Sequence, residues 1–250
     1  VTFQRVYDDP ILITMPDVTS NGYQELTFRI RNLNGSQFEI RQQEPSNRDD
    51  THISEEAYYL VGEKGVWETV LGDPVIFELG NVTIDTHIPG DSDPVTATFT
   101  QVNLTYPLSN PIALSRINTY ANTPFYYTRL RNVGTSSFET AIEPQGSVRT
   151  QTSISPEAVH WIAIERGTAT VDGKKMEVGT LLADENPATY SFQNAYADVP
   201  GVIAWIMTYS GPDSCVLRGD SLSASSVDFV VQEDTTYDLS LIHISEPTRL

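Results

Sequence analysis

The chain has 250 residues, with 33 acidic against 15 basic side chains, and its formal net charge of -18 disfavours a nucleic-acid partner because phosphate groups would be repelled. The longest strongly apolar run, Val202–Met207, is too short to cross a bilayer, and Cys215 is the only cysteine, so no disulfide forms within the chain. Fifteen Pro and fifteen Gly, with many β-branched and aromatic residues, favour short strands and turns.

The first stretch of the chain reads as strands joined by turns, with a turn signal at Asn34–Gly35. The predicted strands are ILITM at 11–15, LTFRIRN at 26–32, QFEIRQQE at 37–44 and EAYYLVGE at 56–63. Alternation along TFRIR places Phe28 and Ile30 on one face and Arg29 and Arg31 on the other. The pattern predicts a sheet with an apolar inner face and an outer face of Arg and Glu, two of which pack as a β-sandwich.

The same pattern recurs about a hundred residues later, which predicts a repeat architecture. RIR at 29–31 matches RLR at 129–131 and, more loosely, VLR at 216–218. The anchors taken as equivalent are Phe3, Phe99 and Phe192; Pro10, Pro111 and Pro200; and Phe38, Phe138 and Phe229. We therefore predict an all-β chain of tandem antiparallel β-sandwich repeats, two complete and one truncated. The first unit is 1–94, the second unit is 95–189 and the third unit is 190–238.

The order of motifs is similar to a repeat of large secreted surface proteins of environmental bacteria, and more distantly it resembles H-type lectin domains. The residues that carry the resemblance are Arg29, Asn32, Phe38, Glu44, His52, Glu56 and Gly65 in the first unit, and Arg129, Asn132, Phe138, Glu143, Glu157, the WIAIE run at 161–165 and Gly167 in the second. The resemblance implies a secreted or cell-surface protein whose partners are glycans or cell-surface polysaccharide. The second unit has Ser153 in place of the loop histidine, so the two units cannot bind a sugar identically.

The last twelve residues, Leu239–Leu250, resemble the translation of a transposase sequencing adaptor. We read them as an artefact that takes no part in the fold, and we expect the natural protein to extend beyond Asp238 and before Val1.

Catalytic and metal-binding motifs are few. RGDSL at 218–222 resembles a serine-esterase block and an integrin tripeptide, but no histidine is placed to activate Ser221 and the repeat puts the motif at a strand-to-strand turn. No histidine pair has zinc spacing, so no metal site and no cofactor are predicted, although the acidic loops 47–52 and 89–94 leave calcium open. Trp161 and Trp205 lie in apolar runs and are expected in the core, whereas Trp67 beside a glycine turn is open to sugar stacking.

The repeated polar set is the candidate carbohydrate-binding site. Its members are Arg29, Arg31, Glu44, His52 and Glu56 in the first unit, and Arg129, Arg131, Glu143 and Glu157 in the second. The alternative for the same residues is a ladder of cross-strand ion pairs on an exposed sheet.

Tandem copies of one small domain favour multivalent display, because linked weak sites gain avidity of roughly 10²–10⁴. We expect a secreted surface or adhesin-type protein whose repeats bind carbohydrate weakly, with no catalytic turnover and no membrane insertion. The alternatives are a structural stalk that spaces another domain from the cell and an ancillary module of a polysaccharide-degrading enzyme. A homo-oligomer stays open.

Overall fold

A computed structural model describes residues 1–16, 25–48, 56–69, 75–89, 96–148, 153–171 and 173–236. These residues form sixteen β-strands and one 3₁₀ turn at Ser46–Arg48. All the paired strands are antiparallel. The predicted all-β class is confirmed, and the part of the chain that is described contains no helix able to cross a membrane.

The strands follow the predicted order along the chain. Those of the first unit are β1 (Pro10–Pro16), β2 (Thr27–Arg31), β3 (Glu39–Gln43), β4 (Ala57–Glu63), β5 (Gly65–Glu68) and β6 (Ile76–Thr86). Those of the second unit are β7 (Thr100–Asn103), β8 (Pro111–Ile117), β9 (Tyr126–Arg131), β10 (Ser137–Pro144), β11 (Ser153–Glu165), β12 (Gly167–Val171) and β13 (Lys174–Val178). The remaining strands are β14 (Ala188–Ser191), β15 (Cys215–Leu222) and β16 (Ser226–Glu233).

The hairpins of the first two units pair in the same register. Arg31 lies opposite Glu39 in β2–β3, and Arg131 lies opposite Glu139 in β9–β10. Likewise β1 pairs over its full length with β4, and β8 pairs over its full length with residues 159–165 of β11. In both hairpins the residue after the first strand is an asparagine in the left-handed region: Asn32 follows β2 at φ 53°, and Asn132 follows β9 at φ 52°. Asparagine tolerates this conformation better than most residues.

The register corrects two sequence equivalences. The amide of Phe3 bonds the carbonyl of Ser36, and the amides of Leu104 and Phe192 make the same bond to Ser136 and Ser225. The second-unit partner of Phe3 is therefore Leu104, and the prediction of Phe99 was wrong. By the same comparison the turns closed by Asn34, Gly134 and Ser223 lead into Phe38, Phe138 and Val227, so Phe229 is displaced by two residues. Similar Thr-Phe and Asp-Phe steps misled the sequence alignment, whereas main-chain bonds fix the pairing.

One sheet draws on both predicted units, which the sequence did not reveal. Its strand order is β5-β6-β11-β8, with β5 and β6 from the first unit and β8 and β11 from the second. Strand β6 pairs with β11 from Phe77–Ile164 to Thr86–Ser153, with an irregularity near Glu157. The two units therefore share main-chain hydrogen bonds, while the boundaries of the repeats stay a prediction.

The apolar core lies in one large cluster and smaller ones. Phe138 and Trp161 belong to the large cluster, whereas Phe38 belongs to a smaller one near the chain's first residues. The predicted burial of Phe38 and Phe138 is confirmed, since each side chain is 1% exposed. Trp161 and Trp205 are also buried as expected.

The predicted outer face of Arg and Glu is only partly correct. Arg31 faces solvent, but Arg29, two residues earlier on the same face of β2, is 1% exposed. Burial continues along both faces of β2 up to its last residue. Strand alternation assigns a face but cannot tell whether a neighbouring unit covers it, and here the second unit does.

Candidate functional site: the joints between units

The buried arginine of β2 enters the second unit. The Arg29 guanidinium lies 2.7 Å from a carboxylate oxygen of Glu157, and neither side chain is more than 1% exposed. It also donates to the main-chain oxygens of Pro124 and Asn122, and it lies over the ring of Tyr120 at 4.9 Å. Burial lowers the pKa of Arg29, and attraction to Glu157 offsets part of that effect. The first unit is thereby pinned by one charged side chain to a loop of the second.

The carboxylate of Glu157 is surrounded by donors. Besides Arg29 it accepts hydrogen bonds from the Thr119 hydroxyl, the main-chain amides of Ala121 and Asn122, and the Asn122 side chain. A carboxylate has about four lone-pair sites, so this one has little capacity for a further ligand. Glu157 organises the 119–122 loop that receives Arg29.

The second unit repeats this joint against the third. Arg129, equivalent to Arg29 by register, donates to the main-chain oxygen of Asp213 and lies over the ring of Tyr209 at 4.4 Å. Its ion-pair partner is Glu143 at 3.2 Å, and it also donates to the Cys215 sulfur. Burial raises the pKa of Cys215, so the sulfur is held as a thiol. Both joints therefore use one device, an arginine of one unit over a tyrosine and against a carbonyl of the next.

A second kind of joint uses a glutamate near the end of each unit. Glu78 accepts hydrogen bonds from the main-chain amides of Thr105 and Tyr106, just after β7. Glu177 accepts them from Gln193 and Asn194, just after β14. Burial alone would raise the pKa of Glu177, but these amide bonds together with hydrogen bonds from the Tyr190 and Asn194 side chains outweigh it, and the pKa is lowered. Sequence reasoning missed both residues, although the recurrence of Glu-Leu-Gly at 78–80 and Glu-Val-Gly at 177–179 was a signal.

The predicted carbohydrate set is therefore divided between joints and surface. Arg29, Arg129, Glu143 and Glu157 are buried. Arg31 and Arg131 pair with Glu39 and Glu139 across their hairpins, which is the geometry of the ion-pair alternative. Glu56 is exposed, Glu44 is half-buried, and His52 lies outside the described residues. Carbohydrate binding by this set stays a prediction.

His160 forms a further contact between units. Its Nδ1 accepts the main-chain amide of Leu12 at 3.1 Å, which joins β11 to β1. Burial lowers the pKa of His160 to about 4, while Asp9 and Lys64 act in opposite directions. The neutral ring is required, because a protonated Nδ1 could not accept this bond.

Acidification is expected to weaken the fold through His160. The unfolded histidine binds a proton near pH 6.5, whereas the folded one resists protonation down to about pH 4, so this stability is present above pH 6.5 and lost as the pH falls toward 4. The shift corresponds to about 3 kcal/mol. Urea unfolding at pH 7 and pH 4.5 measures the loss. His160→Gln keeps an acceptor without titrating and should show a shallower loss, and an unchanged pH dependence in this variant would contradict the assignment.

The remaining sequence features are the RGDSL segment, the candidate metal ligands, the two acidic loops and the last twelve residues. Arg218 of RGDSL is 4% exposed, and the Ser221 hydroxyl donates to Asp228 on the neighbouring strand. The motif lies in β15, not in the turn that the sequence predicted. Within the described ranges no three His, Cys, Asp or Glu side chains cluster as metal ligands would. Most of the two acidic loops and all of Leu239–Leu250 lie outside those ranges.

Comparison with known proteins finds a similarity that runs through nearly the whole chain. The sequence is 28% identical over 255 residues to halomucin of Haloquadratum walsbyi. The alignment covers 98% of this chain but only 3% of halomucin, so the chain spans a small part of that relative's length. No family model matches the sequence, and no solved structure matches it.

Proposed function

We propose that the chain is a stretch of a repeat array in a large extracellular surface protein, where it holds successive β units at a set spacing and orientation. The observation that carries the proposal is the recurrence of one joint. Arg29 and Arg129 each reach a carbonyl and a tyrosine ring of the following unit. The similarity to a small part of a very long protein supports the same function.

A buried ion pair between two units fixes their relative orientation more than it strengthens their association. Removing two charges from water costs several kcal/mol per ion, and the pairing repays this only in good geometry. Arg29 meets that condition through Glu157 and the surrounding carbonyls, so a misplaced second unit would leave a buried charge unpaired. The joint therefore selects one relative orientation of the units.

The charge of the chain fits an extended array at a surface. The chain has a net charge of -18 and only three lysines. Neighbouring copies of such a chain carry charge of the same sign and therefore repel one another. Such repulsion favours solubility and disfavours collapse of one array upon another. The buried arginines are protected from solvent salt, so the joints would persist where surface pairs are screened.

Relaxation of backbone ¹⁵N nuclei tests the spacing function. We expect the three units to tumble with one correlation time, because a joint connects each unit to the next and the first two units also share a sheet. Glu177→Ala should give the third unit faster independent motion, since it removes the acceptor of Gln193 and Asn194. The matched control is Glu63→Ala, which removes a similar acceptor of Asp8 and Asp9 within one unit. Separate correlation times in the unmodified chain would refute a rigid array.

Weak, multivalent glycan binding is a second proposal, and its support is an exposed aromatic side chain. Trp67 is 44% exposed and its indole N–H donates to the Glu63 carbonyl, so part of the ring is accessible for stacking on a sugar. On a glycan array, loss of binding in Trp67→Ala or in Arg31→Ala with Arg131→Ala would support this. Variants at Arg29 or Arg129 would report on the joints instead. If no polysaccharide on the array is bound, the glycan proposal fails and only the spacing function remains proposed.

The absence of catalytic turnover also stays a proposal. Paired carboxylates acting on a glycosidic bond must reach the substrate. Glu143 and Glu157 are 0% exposed, which argues against that use of the second unit's acids.

A further inference from the structure

The third unit contains a stretch that corresponds to a strand in the other two units but has no strand partner in the part of the chain that the structure describes. Pro111 lies nine residues before Tyr120, and Pro200 lies nine residues before Tyr209, the two tyrosines that receive the joint arginines. Residues 200–206 therefore correspond to β8, as they do to β1. Strands β1 and β8 are paired along their whole lengths with β4 and β11. Among the described residues no strand pairs with 200–206.

A cavity of about 1340 Å³ lies beside this stretch. Its lining is largely apolar and comes from the second and third units, for example Met176, Val202, Ile206, Leu217 and Phe229. Pockets for small ligands measure about 300–1,000 Å³, so this cavity is larger than such a ligand needs.

On one side of residues 200–206 the main-chain groups already make hydrogen bonds to the first two units. The amide and the carbonyl of Ala204 bond the Met15 sulfur and Arg116, just as the amide and the carbonyl of Leu12 bond His160 and Asn118 of the second unit. In an extended chain, successive residues direct their main-chain groups to opposite sides. In the extended conformation that β1 and β8 adopt, Ile203 and Trp205 would therefore direct their N–H and C=O groups away from Met15 and Arg116, toward the cavity that residues 202–206 line.

We propose that the cavity receives one antiparallel strand, the fourth strand of the third unit, with the alternation and terminal Glu-basic-Gly step of residues 57–65 and 159–167. The inference rests on the register shared by the units and is independent of the proposed function. Strand addition satisfies main-chain groups along an open edge and lets alternate side chains fill pockets.

Contacts in the first two units specify the side chains of this strand. Trp161 meets Phe138 edge-on at 5.5 Å, and Tyr59 meets Phe38 edge-on at 5.4 Å. The equivalent aromatic residue would lie over Val227, which is 1% exposed and lines the cavity.

The end of the strand is specified in the same way. Glu63 accepts the amides of Asp8 and Asp9, and Glu165 accepts the amide of Ser109. The corresponding carboxylate would accept the amides of Asp198 and Val199, which lie two residues and one residue before Pro200.

Amide exchange of the ¹⁵N-labelled full chain with a synthetic peptide of residues 155–168 tests the proposal. At a peptide concentration 100 times its Kd, exchange at Ile203 and Trp205 should slow about 100-fold. Exchange at Ala204, whose amide faces the first unit, should change little. A scrambled peptide and the Trp161→Asp peptide should protect neither residue. Equal protection by the scrambled peptide, or no protection at Ile203 and Trp205, would overturn the proposal. So would a chain dimer that excludes the peptide, since the occupant would then be a second copy.

Discussion

Glu157→Gln lowers the free energy of unfolding by about 3–5 kcal/mol, because it leaves the Arg29 guanidinium buried beside a neutral amide. Both side chains are almost wholly buried, and their 2.7 Å contact is the charged centre of the first joint. The remaining partners of Arg29 are main-chain carbonyls, the Gln43 side chain and the Tyr120 ring, none of which carries a formal charge. Urea denaturation monitored by tryptophan fluorescence measures the loss.

A double-mutant cycle isolates the pair. Arg29→Met, Glu157→Gln and the combined variant should give a coupling free energy well above 1 kcal/mol, since a buried pair loses most when one partner is left alone. The matched control is the Arg31–Glu39 pair of the same hairpin, whose side chains are 65% and 45% exposed. Its coupling should be much smaller than that of the buried pair and should fall with added salt. Equal coupling in the two cycles would contradict a buried structural joint.

The contrast between these two arginines shows how far the sequence could be read. Arg29 and Arg31 stand two residues apart on one face of β2, and alternation correctly places them on the same side. What buries Arg29 comes from Pro124 and Glu157, about 95 and 128 positions later. No local pattern carries that information, so the sequence predicts an exposed face for both arginines, either as a binding site or as a ladder of ion pairs.

Features of the fold that depend only on residues close together in the chain were predictable from the sequence. The turn between β2 and β3, the inward Phe38 and its repetition at Phe138 all follow from a few neighbouring residues. The pairing of β6 with β11 does not, because it joins residues as distant in the chain as Phe77 and Ile164. The sequence therefore predicted the hairpins better than the contacts between units.

Phe138→Ala is expected to destabilise the chain by about 4–5 kcal/mol, near the upper end for a buried aromatic residue. Phe138 packs edge-on against Trp161 within the large core cluster, which includes residues of all three units. The cavity left by its ring is enclosed by paired strands that cannot collapse readily, so its full volume contributes to the loss.

Phe38→Ala is the matched comparison, because the two phenylalanines hold the same register position. Phe38 packs in a small cluster with Phe3 and Tyr7. The segment that carries Phe3 and Tyr7 is held to the hairpin of Phe38 by one isolated bridge and a few main-chain bonds. That segment can move inward, so the loss should be closer to about 3 kcal/mol. Val227 occupies this position in the third unit, and Phe138→Val should therefore fall between wild type and Phe138→Ala. Urea midpoints at unchanged slope measure all three variants. A smaller loss for Phe138→Ala than for Phe38→Ala would mean that the large cluster is not the common core of the units.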